Sequence, residues 1–443
     1  MPDRVRVVPS ARRLVQSLRD LGYGLPDAVA DLVDNSIAAR ATKVWIDVGF
    51  AGDDSWIRIA DNGKGMPGAV LTEAMRYGSE TTYDLEDLGK YGLGLKTAST
   101  SQCRRLTVAT RHGNGSARLE VRRWDLDQVI ERNEWDIERL RVGECRPELL
   151  APLDRHKGTV VMWERLDRVL RYARTGAAEN WLLRLCRDIE RHLAMVFHRF
   201  LSSEAQRSSP LKIYLNDNPI ESWDPYCRDE RHTKELPTCE LALEREGEKR
   251  VIRVEPYILP NKSQFSNTKA FEDAGGPKKW NRQQGFYIYR GDRMIQSGGW
   301  NRLRAPDEHT KLARVAVLFD RSADDDFDIN VSKMRVSLPA DLRDAFDKIA
   351  TDVAKKANAA YRETDEDAPK SRKSGGGRVS EGSPPYRADD ERRDASVTVL
   401  KRVVHVLEEE LSGQPRLLKR LLLALAKVDP VFAAALKMTS TGR

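Results

Sequence analysis

Paired cysteines are missing from this sequence. Its five, Cys103, Cys145, Cys186, Cys227 and Cys239, are odd in number, far apart and never spaced CxxC. That excludes a disulfide framework and a zinc ribbon, and fits a reducing compartment. No run approaches the roughly eighteen apolar residues of a membrane span. The opening MPDRVRVVPSARR has charge but no apolar stretch of signal-peptide length. The expectation is a soluble, cytoplasmic protein with no membrane contact. There is no GxxxxGK[ST] P-loop and no internal repeat, and the seven histidines fall in no metal or catalytic spacing. Nor does either sign of charge dominate. Lys and Arg number 75 against 68 for Asp and Glu, a net +7 that permits contact with nucleic acid without requiring it. What is present is a 40% hydrophobic fraction over 443 residues, which excludes a wholly disordered chain and fits two to three domains.

Patterning divides the chain. Ser10 is placed to cap a first helix whose apolar stripe reads Leu14, Leu18 and Leu21. After Gly22 and Gly24, Pro26 opens a second helix bearing Asp27, Asp31, Asp34 and Asn35. Strand-like runs follow at KVWIDVGF, WIRIA, RLTVATR, ARLEVRRW and TVVMWERL, then a helix over 176–201. A polar break closes this unit near 209. Strands resume with LKIYLND, VIRVEPYIL, GFYIYRGDRMI, RVAVLFD and FDINVSKMRV, and a helix over 340–361 ends a second unit at about 362. Residues 363–395, rich in Gly, Ser, Pro and charge, read as a flexible linker, and 396–443 as an amphipathic helical tail.

Three segments carry chemistry. Asp31 and Asn35, four residues apart, share one helix face, with Asp34 beside them. An acid one turn from an amide suits a magnesium–nucleotide site, supplying a metal oxygen ligand and a carboxylate for water; the plainer alternative is a solvated acidic face at a helix start. Asp61-Asn62-Gly63-Lys64-Gly65 follows directly on a strand. There a carboxylate can accept from an exocyclic amine and glycines let a ring approach the backbone, although an ordinary strand-to-helix turn fits too. The same stretch spells GKGMPG, but no βαβ unit surrounds it, so the dinucleotide-binding pattern is rejected. Gly89-Lys90-Tyr91-Gly92-Leu93-Gly94-Leu95-Lys96 offers dense backbone N–H groups before a helix start, plus a mobile positive charge; the alternative is a surface loop.

In this order, the segments resemble the GHKL ATPase superfamily of gyrase B, heat-shock chaperone, histidine kinase and MutL proteins. DLVDN at 31–35 looks like its N box, DNGKG at 61–65 its first glycine box and GKYGLGLK at 89–96 its ATP lid. Gly158-Thr159-Val160-Val161 is similar to the strand closing the adenine pocket. The lid and GFYIYRGDRMI look closest to the MORC-like and MutL-like branches, and Asp328-Ile329-Asn330-Val331-Ser332-Lys333 is similar to a shortened MutL second-domain loop. The resemblance covers about residues 10–360. It implies an α+β chain: a two-layer α/β sandwich ATP-binding domain of the Bergerat type over 1–209, an α/β transducer-like domain over 210–362, the linker and the helical tail.

The resemblance also implies roles. Asn35 would hold Mg²⁺ and Asp61 the adenine amine, with Gly63, Gly65, Met66 and Thr159 around the base. Gly89, Lys90, Tyr91, Gly92, Leu93, Gly94, Leu95 and Lys96 would cradle the phosphates. Asp31 stands where the family has a Glu general base, one methylene shorter, and Lys333 would reach the γ-phosphate. Ala38 replaces the family's second acid. A displacement of about 1 Å can cost about a hundredfold, so slow hydrolysis is expected. The implied function is an ATP-gated homodimer clamp with residues 1–20 as a swapped strap. It would act on DNA, in restriction or phage defence by analogy to prokaryotic MORC relatives, with the tail a dimerising or partner-docking element. The rival readings are a nucleotide-gated interaction module that scarcely hydrolyses ATP and a chaperone-like ATPase.

Overall fold

A computed structural model describes residues 9–20, 24–78, 94–113, 117–154, 156–170, 178–205, 209–245, 247–328 and 336–366. The lid positions Gly89 to Leu93, Lys333, most of the linker and the whole helical tail lie outside the described residues. Everything below concerns one compact unit, residues 1–369.

Its first layer is a mixed sheet. In chain order the strands are β1 (Lys43–Gly49), β2 (Trp56–Asp61), β3 (Arg105–Arg111), β4 (Glu120–Asp125), β5 (Glu138–Arg139), β6 (Gly158–Glu164), β7 (Lys212–Leu215) and β8 (Asn218–Pro219). They lie side by side as β5-β4-β3-β6-β2-β1-β7-β8, antiparallel throughout except for the β1–β7 pair. LKIYLND, assigned from its position in the chain to the second domain, is therefore the parallel neighbour of β1: Ile213 pairs with Val44 and Leu215 with Ile46. The passage between layers falls after residue 219, not at 209.

Strand alternation sorts side chains to the two faces. Val44, Ile46, Ile57, Ile59, Leu106, Val108, Val161 and Trp163 are buried with the helices α1 (Ala11–Arg19), α2 (Leu25–Ala38), α3 (Gly68–Ala74), α4 (Gly94–Gln102), α5 (Leu126–Arg132) and, later in the chain, α7 (Ala178–Val196) and α8 (His198–Leu201). Ala60, Ala109, Val121, Val160 and Met162 form a smaller core on the other face with Leu149 of α6 (Pro147–Leu150) and with Leu153. This is the expected two-layer sandwich, and the described residues together are α+β.

α1 departs from its expected stripe. Ser10 does cap it, accepting from the Arg13 amide, but the buried face is Ala11, Val15 and Arg19, while Leu14 is 38% exposed. Arg19 decides the rotation: its Nε donates to the Thr100 carbonyl at 2.7 Å and its Nη2 meets Asp167 at 2.6 Å. Asn133 takes hydrogen bonds from the Ser10 hydroxyl and the Arg12 amide. The described part of the expected strap, residues 9–20, is thus docked on its own domain.

The second layer is a sheet of β9 (Lys234–Glu235), β10 (Cys239–Arg245), β11 (Glu248–Ile258), β12 (Gly285–Arg290), β13 (Arg293–Ser297) and β14 (Ala313–Phe319), ordered β10-β11-β14-β12-β13 with β9 on β11. Between β11 and β12 come α9 (Thr268–Ala274) and α10 (Lys279–Gln283), and α11 (Arg343–Glu366) closes the unit. GFYIYR is buried on both faces, so it reads as a continuous run of large residues. Phe286 and Ile288 pack with Phe346, Ala350 and Val353 of α11, while Tyr287 and Tyr289 belong to the core of the first layer. One strand therefore joins the two layers.

Arg290, at the end of β12, is fixed by a bidentate pair to Asp324, Nε to Oδ1 and Nη2 to Oδ2, each 2.6 Å, with both side chains buried. Removing one partner of such a pair leaves a charge without compensation, which costs about 3–5 kcal/mol. Asp324→Ala should lose stability of that order in urea denaturation. Lys356→Ala, which breaks an exposed pair with Asp352, should change it by less than about 1 kcal/mol.

Candidate active site

α2 begins with Pro26 in its first turn and Asp27 near its positive end. Its sequence, LPDAVADLVDNSIA, is apolar on nearly every side, and Asp31, Asp34 and Ser36 are buried along with the aliphatic residues. Such a helix belongs inside a protein, here against the first sheet and α4. Asn35 alone in this stretch is exposed. Asp31 lies against the start of α4: a Cβ on Gly94 would sit 3.6 Å from Asp31 Oδ2. The carboxylate therefore stands beside the amino end of a nine-residue helix, where peptide dipoles favour negative charge.

Asp61 closes β2. The Gly63 amide donates to its Oδ1 at 2.8 Å and the Ser36 hydroxyl to its Oδ2 at 3.2 Å, which ties the strand end to α2. Lost hydration pushes its pKa up, while the hydrogen bonds from Gly63, Ser36 and the Thr159 amide pull it down; burial wins, and the pKa stands at about 6. Across the β2–β6 ladder Asp61 faces Thr159, whose hydroxyl is 3.3 Å from that of Thr110. Thr110 also donates to the Gly158 carbonyl at 2.9 Å and accepts from the Met66 amide at 2.9 Å.

The glycines here are close-approach positions. Gly158 (φ +145°) would put a Cβ 2.0 Å from the Asp61 carbonyl oxygen, and Gly65 (φ +65°) would put one 2.1 Å from that of Arg111. A side chain at either would push apart the strand ends that frame Asp61.

Asp61, Gly63, Gly65, Met66 and Thr159 thus stand around the ends of β2 and β6, joined to α2 through Ser36 next to Asn35, while Asp31 lies beside Gly94 at the start of α4. Lys96 is placed elsewhere. It is buried, and its Nζ donates to the Ala74 carbonyl at 3.0 Å, at the end of α3. Because the helix already begins at Gly94, Lys96 occupies its third position and faces α3. Burial lowers its pKa to about 8. Ser36 and Thr110 escaped the sequence reading, since a serine one residue past Asn35 and a threonine inside an apolar strand have no distinguishing spacing. Among the described residues no group of three or more His, Cys, Asp or Glu is arranged to hold a metal, and no helix is long and apolar enough to cross a membrane.

Residues 23–159 match the family of histidine kinase-, DNA gyrase B- and HSP90-like ATPases. Over those residues the chain is similar to this GHKL superfamily. Within it, the similarity runs to proteins named DNA mismatch repair protein MutL. That of Shewanella amazonensis is 41% identical over 88 residues, 19% of this chain and 13% of the relative. That of Thermosipho africanus is 33% identical over 98 residues, 21% and 17%. That of Allorhizobium ampelinum is 28% identical over 193 residues, 41% and 27%. The matched parts span less than a third of these relatives. A solved structure titled as the N-terminal domain of a DNA repair protein aligns over 80% of this chain and 99% of its own at 16% identity, with a TM-score of 0.46, a likeness too distant to bear on function.

The Asp61 pKa carries a consequence for stability. A carboxyl raised from about 3.9 when unfolded to about 6 when folded keeps its proton only in the native state between those values. Its contribution therefore favours folding below about pH 4 and fades as pH rises through 6. Relative to Asp61→Asn, which does not titrate, the wild type should lose roughly 1–3 kcal/mol between pH 4.5 and pH 7.5. Urea melts of both proteins at the two pH values measure the difference.

Proposed function

We propose that this chain binds ATP–Mg²⁺ at the junction of α2, β2 and α4, hydrolyses it slowly, and uses the cycle to gate a homodimeric clamp on DNA. The observation that carries the reading is Asp61: a carboxylate at a strand end, fixed by Gly63 and Ser36 in a residue that is only partly buried. In this reading it accepts from the adenine amine, and Gly63, Gly65, Met66 and Thr159 wall the base. Asp31, beside the amino end of α4, orients and deprotonates the attacking water. The phosphates lie at that helix end, where backbone N–H groups and the helix dipole favour anions. Lid residues Gly89 to Leu93 and Lys333 complete the phosphate contacts.

The residues fit the metal. Exposed Asn35, one turn from Asp31, provides a neutral oxygen. The remaining ligands would be phosphate oxygens and water, a set that suits Mg²⁺. When bound, the ion neutralises phosphate charge. The DNA part is supported by the printed names of the relatives and the net charge of +7. A role in restriction or phage defence is its more specific form, and the helical tail serves as a dimerising or partner-docking element. The second reading, a gated module that scarcely turns over, is favoured by Asp31 itself, which is shorter than Glu and buried.

Calorimetry with Mg–ATP and steady-state phosphate release separate these readings. Binding should be lost or weakened by about 10- to 100-fold in Asp61→Asn, the worth of a hydrogen bond to a charged group. Asp31→Ala should bind ATP while losing phosphate release. Equal background release by wild type and Asp31→Ala would leave only the non-hydrolysing module, and an absence of heat with wild type would remove both.

For DNA, gel-shift affinity should rise with a non-hydrolysable ATP analogue and fall steeply between 50 mM and 200 mM salt as counterion release demands. No shift in any of these conditions removes the polymer from the proposal.

A further inference from the structure

The β12–β13 hairpin is bound to the helical layer by a series of polar contacts. Tyr289 is bonded to His198 Nε2 at 2.8 Å and accepts from the Tyr226 hydroxyl at 2.8 Å. Asp292, in the turn, pairs with Arg199 at 2.9 Å. Arg293, the first residue of β13, reaches deepest. Its Nε donates to Asp34 Oδ1 at 3.1 Å, its Nη1 bonds the Met294 carbonyl, and its guanidinium lies 4.7 Å from the Phe197 ring centroid. The ion pair is dry, with Arg293 7% and Asp34 1% exposed.

Asp34 sits on α2 between Asp31, three residues earlier, and Asn35, its next neighbour. Other charges surround the pair. Asp27 in the first turn of α2 feels both Arg293 and Lys278, His192 on α7 lies 3.5 Å from Asp27, and Lys278 donates to the Ser297 carbonyl at 3.0 Å. The second layer thus grips the acidic helix near its start and its middle.

A dry ion pair is a poor device for stability alone, because its desolvation cost roughly cancels its attraction; fixing register is its best-attested use. The register here is that of the hairpin against α2. We propose that Arg293 is a positioning residue for ATP hydrolysis: through Asp34 it sets where α2 holds Asp31 and Asn35, so that displacement of the second sheet is transmitted to the site. The hydrolytic half rests on the reading of the preceding subsection. The mechanical half, that α2 and the hairpin move as one body, does not.

Two measurements on the full chain decide it. In steady-state kinetics, Arg293→Lys keeps the charge but loses the planar fork. It should lower kcat by about 10- to 100-fold with KM changed by less than about threefold, as expected when water and phosphate are misaligned but binding is intact. Asp34→Asn should do the same, and the double variant should be no worse than either single one. Folded Arg293→Lys with unchanged kcat, or single effects that multiply in the double variant, would overturn the proposal. In native-state hydrogen exchange on the wild type, which needs no variant to fold, the amides of α2 and β13 should open together with equal protection. Independent opening overturns the coupling even if the kinetics shift. If the wild type shows no turnover at all, the ATPase reading fails, and exchange still decides whether the two elements are coupled.

Discussion

A helix buried on nearly every side yet carrying acids sets the terms for the rest of the molecule. α2 lies inside the fold, and both Asp31 and Asp34 are within it. Neither carboxylate can rely on water, so each needs a fixed partner. Asp34 has Arg293 from the second sheet, and Asp31 has the amino end of α4. The two solutions differ in kind. An ion pair with a guanidinium is specific, whereas a helix end favours negative charge through its dipole and amide groups. In the proposed reading the second arrangement serves the chemistry, and the first holds the helix.

The same constraint explains why a second sheet is part of this unit. β12 alternates Phe286 and Ile288 toward α11 with Tyr287 and Tyr289 toward the first layer, so neither face of the strand is left to solvent. A sheet docked this way has few independent degrees of freedom. The hairpin is attached to α2 by a buried ion pair and to α8 by Tyr289 and Asp292. Nucleotide can shift the hairpin only by the difference in its contacts between two positions. In the proposed reading, this difference lies in the terminal phosphate.

Much of this was legible in the sequence because the chemistry is local. DLVDN is one helical turn and DNGKG one strand end, so their spacing survives folding. What escaped depends on distance in the chain. Arg293 is far from Asp34 in sequence, and an arginine after a Gly-Asp turn reads as a solvated hairpin residue. LKIYL looked like the start of a new domain because it follows a polar break, but the edge of the first sheet at β1 was unpaired and a strand of matching pattern filled it. The α1 stripe failed for another reason. Leucines at 14 and 18 were weighed by hydrophobicity, whereas the helix is turned by Arg19, whose guanidinium serves the Thr100 carbonyl and Asp167. A buried arginine with specific acceptors outweighs a leucine left at the surface, since an unsatisfied guanidinium costs more than an exposed methyl group.

The shorter acid at position 31 is best understood with its surroundings rather than against a longer one. Aspartate loses a methylene of reach, but Gly94 has no side chain, so α4 approaches Asp31 to within contact distance of where a Cβ would stand. If water is held between the carboxylate and that helix end, the reach lost on one side is recovered by closeness on the other. If it is not, the proposed site keeps Asp61, its neighbouring strand ends and the helix dipole for nucleotide, and the proposal reduces to the gated module that scarcely turns over. In the proposed reading, turnover would hinge on the placement of α2 relative to α4 at the scale of about 1 Å, a displacement that can cost about a hundredfold in rate. Among the described residues, the contact that reaches α2 from the second sheet at this level is the guanidinium of Arg293.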